Sequence, residues 1–190
     1  METIDLFTIP LCKKSLTLDN DLISSYCYYL KEQDRGRSVS NKGGWQSNDI
    51  IDTPYPLTEL LNCIKEVCLD ISNVLELHPL QINNYWININ GYKDCNWPHT
   101  HGDAILSGIY YVKTPKNCGN IEFENRCSEV MPVNLQVTNF NQFNCERRMF
   151  PSEEGILYIF PSWLRHGVNP NLNQHEERIS VAFNLVHQNK

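Results

Sequence analysis

The roughly 18 apolar residues in a row that a membrane-crossing helix needs occur nowhere in this chain. Runs of lysine or arginine are also missing, and the net charge is -6. That balance argues against broad binding to nucleic acid or to an anionic membrane. The first residues, Met1-Glu2-Thr3-Ile4-Asp5-Leu6-Phe7, lack the basic and apolar regions of a secretory signal. Eight cysteines are present, Cys12, Cys27, Cys63, Cys68, Cys95, Cys118, Cys127 and Cys145, but none forms Cys-x-x-Cys. A zinc module is therefore not expected, and free thiols in a reducing, cytoplasmic setting are. Repeats, low-complexity tracts and linkers are absent too, which predicts one domain over residues 1–190.

What is present is globular in composition, 41% apolar and 20% charged. Leu22, Ile23, Tyr26, Tyr29 and Leu30 follow helical spacing and predict a helix over 19–33, capped by Asp19 or Asn20. After the breaker Thr53-Pro54-Tyr55-Pro56, a second helix is predicted over 58–77. Its stripe is Leu60, Leu61, Ile64, Val67, Cys68, Ile71 and Leu75, with Thr58 as candidate cap. Between the helices, 35–45 reads as a loop, and Trp45 within it as a lid or a core plug. From residue 80 the period changes to two. Strands are predicted over 81–90, 106–112, 120–124, 134–137, 155–160 and 178–185, with an edge strand somewhere in 1–10. Helices followed by a run of short strands predict an α+β fold, a sandwich or jelly roll with helices packed on one outer face. Helical support would occupy 1–80 and the β core 81–187.

Chemistry concentrates in Pro98-His99-Thr100-His101-Gly102-Asp103 and in Phe160-Pro161-Ser162-Trp163-Leu164-Arg165-His166. On an extended backbone, positions i, i+2 and i+4 share a face. One strand end can thus aim His99, His101 and Asp103 into one cavity, with His166 as a distant partner. Histidine pairs plus a third ligand on one face, with open positions beside them, hold non-haem iron(II). In the last strand, Arg178, Ser180, Ala182 and Asn184 share one face and Ile179, Val181, Phe183 and Leu185 the other. Arg178 beside Ser180 makes a carboxylate clamp, a guanidinium fork with a hydroxyl next to it. Tyr110 and Tyr111 face opposite ways, so at most one enters the cavity. Trp163 and Arg165 either line its mouth or pack outside the turn.

Four segments in order carry a resemblance. They are His99-x-His101, Ser107-Gly108-Ile109-Tyr110-Tyr111-Val112, the stretch from Gly155 through Phe160-Pro161-Ser162-Trp163 to His166, and Glu177-Arg178-Ile179-Ser180-Val181-Ala182-Phe183-Asn184. Together they resemble the iron(II)/2-oxoglutarate-dependent oxygenase superfamily over roughly 84–186. More narrowly they resemble its small members found in marine bacteria and their phages. The resemblance implies a double-stranded β-helix holding Fe(II) and 2-oxoglutarate, and an enzyme that couples decarboxylation of 2-oxoglutarate, with molecular oxygen, to hydroxylation of a substrate. It implies His166 as the distal ligand, Arg178 on the far carboxylate of 2-oxoglutarate, Ser180 in support and Tyr111 lining the cosubstrate pocket.

The common pattern of that superfamily is His-x-Asp, and two alignments meet it here. Pro98-His99-Thr100-His101 gives a three-histidine site, His99, His101 and His166. His101-Gly102-Asp103 restores a carboxylate, with Asp103 replacing His99. The preceding proline and the distance from Gly91 favour the first. Two other readings stand beside the 2-oxoglutarate enzyme: a cosubstrate-free three-histidine iron dioxygenase, and a non-catalytic jelly-roll binding module. The substrate is not legible, nor is the oligomeric state. The segment 134–149 reads as an insertion that shapes substrate access or as a long hairpin.

Overall fold

The computed structural model describes residues 1–127 and 136–188. Two α-helices precede most of the sheet. The first, α1 (Asn20–Gln33), starts where the Asp19 carboxylate accepts a hydrogen bond from the Leu22 amide at 3.0 Å, as expected of an N-cap. The second, α2 (Tyr55–Val74), begins three residues before the predicted start. Pro54 is its cap and Pro56 lies in its first turn, where a missing N–H costs nothing. Thr58 is therefore inside the helix, its hydroxyl donating to the Pro54 carbonyl at 3.2 Å. The expected cap at Thr58 is corrected by the pair of prolines.

Among the described residues, eleven strands follow or flank the helices. They are β1 (Cys12–Ser15), β2 (Asn41–Lys42), β3 (Trp45–Gln46), β4 (Leu80–Asn90), β5 (Cys95–His99), β6 (Leu106–Lys113), β7 (Asn120–Glu124), β8 (Arg147–Pro151), β9 (Ile156–Pro161), β10 (His166–Val168) and β11 (Arg178–His187). One sheet has the order β1-β9-β6-β11-β4-β3, the other β2-β5-β10-β7-β8. Every pairing among them is antiparallel. The structure is thus mostly β-sheet with two helices. The edge strand expected in 1–10 lies instead at Cys12–Ser15, after Pro10, because β1 takes its register from β9. Of the strand expected over 134–137, residues 134 and 135 lie outside the described residues, and 136–137 are not in a strand.

The larger sheet is a wall between two cores. Its alternation sends Ile179, Val181, Phe183 and Leu185 of β11, and Tyr85, Ile87 and Ile89 of β4, toward the helices. There they meet Leu57, Leu60, Leu61, Ile64, Val67, Cys68 and Ile71 of α2, with Ile23 and Cys27 of α1. Each fully buried Leu or Ile of that stripe contributes about 1.5–3 kcal/mol. Trp45 belongs to this core as a plug, its indole N–H donating to the Asp34 carbonyl at 2.9 Å. The other face of the wall, with Ile109, Tyr111, Tyr158 and Phe160, meets Ile121, Phe123 and Val168 of the smaller sheet. Tyr110 and Tyr111 divide accordingly. Tyr110 points to the helices and donates to the Asn20 side chain at 2.8 Å, while Tyr111 points between the sheets.

Candidate functional site

Strand β5 ends at His99, and β10 begins at His166 directly opposite it in the ladder. Residues facing each other across an antiparallel pair share a face, so the two imidazoles enter the space between the sheets together. Their ring centres are 4.6 Å apart. His101 joins them from just beyond the strand, 4.9 Å from His99 and 5.2 Å from His166. One ring nitrogen from each can be chosen so that all three lie within 4.8 Å of one another.

The turn holding His101 is fixed to the turn before His166 through Ser162. The His101 amide donates to the Ser162 carbonyl at 2.9 Å, the Ser162 amide to the Ile105 carbonyl at 3.2 Å, and the Ser162 hydroxyl to the Ala104 carbonyl. Asp103 does not join. The alternation that would bring it in ends after His99, where residues 102 and 103 form a turn and leave Asp103 exposed. The carboxylate alignment therefore has no geometric support, and the alternation expected over His99, His101 and Asp103 stops at Gly102.

Backbone carbonyls set the tautomers. His99 Nδ1 lies 2.7 Å from the Trp97 carbonyl and His166 Nδ1 lies 2.8 Å from the Leu164 carbonyl. A carbonyl only accepts, so each Nδ1 carries the proton and each Nε2 keeps its lone pair for a metal. Burial lowers the pKa of all three rings, to about 4 at His101 and about 3 at His166; neighbouring imidazoles push the same way at His101 and His166, and the Arg165 charge does so at His99. They are neutral near pH 7, the form that binds metal.

Behind the triad, Arg178 is 1% exposed. Its Nη1 donates to the Cys118 carbonyl and, at 3.0 Å, to the Asn169 carbonyl. Its Nη2 is buried without a hydrogen-bond partner, and among the described residues no carboxylate forms an ion pair with it. A buried cation neutralised only by carbonyls is costly, and burial lowers its pKa. The Tyr111 hydroxyl is likewise buried and meets no partner in hydrogen-bond geometry, though the Ser152 hydroxyl is near; burial pushes its pKa up to about 12, with the Arg178 charge and Ser152 opposing. Ser180 is 3% exposed and lies across from Tyr111 in the β6–β11 ladder. A guanidinium N–H and a phenol O–H, both sealed and unused, fit a carboxylate. Three neutral imidazoles with free Nε2 atoms fit a divalent metal.

The cavity bounded by the three histidines, Trp86, Asn88, Ser107 and Ala182 is small, about 40 Å³, near the share of a single water molecule. One wall is Ser40, in the loop between α1 and β2.

Other expected residues fall outside the cavity. Trp163 is exposed with the Arg126 guanidinium 4.8 Å from its ring centre, and Arg165 pairs with Glu124 at 2.8 Å. Both pack outside the turn. All eight cysteines are free thiols. The sequence reading missed Ser162 as a tie between the two histidine turns, Trp86 beside His101 at 5.7 Å, and Asn88. The Trp86 and Asn88 side chains were legible as the second face of β4, but nothing local marked that face as a cavity wall.

The family profile described as "Putative 2OG-Fe(II) oxygenase" matches residues 84–184. No curated protein matches this chain. Solved structures of similar fold include a prolyl-4-hydroxylase from Pseudomonas putida, 14% identical, covering 96% of this chain and 95% of its own, with a TM-score of 0.64. A viral collagen prolyl hydroxylase from Paramecium Bursaria Chlorella virus-1, in its 2OG complex, is 12% identical, with 94% and 96% covered and a TM-score of 0.60. HygX from Streptomyces hygroscopicus, solved with nickel and 2-oxoglutarate, is 10% identical, with 95% and 84% covered and a TM-score of 0.65. The profile takes in more than half of the residues, including His99, His101, His166, Arg178 and Ser180; this chain belongs to the 2OG-Fe(II) oxygenase family.

Proposed function

We propose that the chain is a hydroxylase whose iron(II) is held by His99, His101 and His166 and whose 2-oxoglutarate is held at its far carboxylate by Arg178, with Ser180 and Tyr111 beside it. The reading extends to one domain, a double-stranded β-helix over 81–187 on a helical support over 1–80. The observation that carries the site is a juxtaposition. Three neutral imidazoles converge from two separate segments, and one buried, unpaired guanidinium stands behind them in the same interior.

When bound, iron(II) and 2-oxoglutarate supply an oxidant for C–H hydroxylation, with one atom of O2 leaving in succinate and carbon dioxide released. The remaining work belongs to the chain. The Trp97 and Leu164 carbonyls keep the His99 and His166 rings turned with Nε2 inward. Arg178 Nη2 offers two hydrogens to a carboxylate, and the Cys118 and Asn169 carbonyls stop the fork from rotating. Phe160 and Phe123 flank His166 at 4.5 and 6.2 Å between ring centres and exclude water from that side.

A cosubstrate-free dioxygenase would leave Arg178 and Tyr111 without a role, and their unused donors favour the 2-oxoglutarate enzyme. The fold does not select a substrate. The solved neighbours include prolyl hydroxylases and a protein with hygromycin B bound. Eight free cysteines fit a reducing, cytoplasmic setting, and among the described residues no helix is long and apolar enough to cross a membrane.

Anaerobic titration with iron(II) and 2-oxoglutarate tests the assignment through the visible charge-transfer band of the chelate. The wild type should show the band with one iron per chain. Arg178→Ala should keep iron and lose the band at moderate 2-oxoglutarate, and His166→Ala should lose both. Iron without a band in the wild type would move the assignment to a cosubstrate-free dioxygenase. Neither iron nor band would move it to a binding module.

A further inference from the structure

One register row of the larger sheet is polar across four strands. Gln46 pairs with Asn88, Asn88 with Ser180, and Ser180 with Tyr111. All four side chains point between the sheets, and each is 5% exposed or less. The row toward the metal, Trp86–Ala182–Ile109, has no polar member apart from the indole N–H. The row on the other side pairs Asn90 with Arg178. Rows on one face are about 7 Å apart, so the polar row lies midway between the Arg178 clamp and the Trp86–His101 contact.

Within that row Asn88 alone combines two properties. It lines the same cavity as the three histidines, which Asn90 and Arg178 do not. Its carboxamide oxygen is also buried with no hydrogen-bond partner, as are the oxygens of Gln46 and Tyr111. A sealed amide oxygen with no partner costs about 1–3 kcal/mol. Which end is oxygen and which is nitrogen is interchangeable by a flip, so the group can donate into the cavity.

Resting on the reading above, we propose that Asn88 is a further cosubstrate-binding residue. It donates to the keto-acid end of 2-oxoglutarate, the end that chelates iron, while Arg178 holds the other end. Gln46 faces Asn88 from the edge strand in the same row.

The test compares Asn88→Leu, close in volume and without polar atoms, and Asn88→Ala with the wild type. The metal-free Leu variant should melt at the same temperature or higher, because no hydrogen bond is lost. Both variants should bind one iron per chain, need at least tenfold more 2-oxoglutarate for half-saturation of the charge-transfer band, and show a displaced band maximum at saturation. Unchanged half-saturation overturns the proposal. A weakened affinity with an unmoved band overturns the placement at the keto-acid end. A large drop in melting temperature for both metal-free variants makes Asn88 structural and also overturns it. A wild type that binds iron without any band instead defeats the underlying 2-oxoglutarate assignment and is distinguishable from all of these.

Discussion

The three imidazoles are held unequally. His99 and His166 each spend one ring nitrogen on a carbonyl, whereas among the described residues no side-chain hydrogen bond fixes His101, which lies beside the Trp86 ring. All three are harder to protonate folded than unfolded, against an ordinary value of 6.5. Between about pH 6.5 and pH 3 the unfolded chain therefore binds more protons, and stability of the metal-free protein falls as pH falls. Thermal melts of the metal-free protein at pH 7 and pH 5 should show the drop, and His166→Leu should reduce it. At this scale the sequence was a good guide to residue types and a poor one to partners. His-x-His, Arg178 and Ser180 stood out because their chemistry is distinctive and their spacing fits a strand. Whether Asp103 joined depended on where a strand became a turn. Asn88 mattered only through what faced it from other strands.

Strands with long alternating runs, β4, β6 and β11, were legible because one residue in two had to reach the helical core. Strands β2, β3 and β10 have only two or three residues each, and pairing with distant segments, not local pattern, makes them strands. Yet β10 carries His166, so the short elements build the site. Close approach of backbone is equally hidden from composition. Gly119 has φ of +86°, and a Cβ there would lie 2.4 Å from the Asn169 carbonyl oxygen, which accepts from Arg178. Gly119→Ala should cost about 1–3 kcal/mol through strain at that backbone conformation. By pushing on the carbonyl that holds the guanidinium, it should weaken 2-oxoglutarate binding while iron binding stays. Denaturant melts and the band titration read the two effects separately.

For the whole molecule, the larger sheet keeps the helical core apart from the site. Ile64 is completely buried against that sheet from α2. Ile64→Ala should cost about 2–5 kcal/mol, measured by denaturant unfolding, and leave iron and 2-oxoglutarate affinities of the folded protein unchanged. Among the described residues no helix backs the smaller sheet. Its outer face carries ion pairs of the buried Glu122 and the half-buried Glu124 with Arg147 and Arg165, whose own side chains are more than half exposed, so solvent screens these pairs. Its β5–β10 pair is short and has a register irregularity between His166 and Val168. Because His99 and His166 are opposite each other in that ladder, one metal ion bridging them would act as a cross-link between two weakly joined strands. Amide hydrogen exchange should then slow on metal addition in β5, β10 and β7, and stay as it was in β6 and β11. An ion held there would be a fastener for the sheet that, among the described residues, no helix covers.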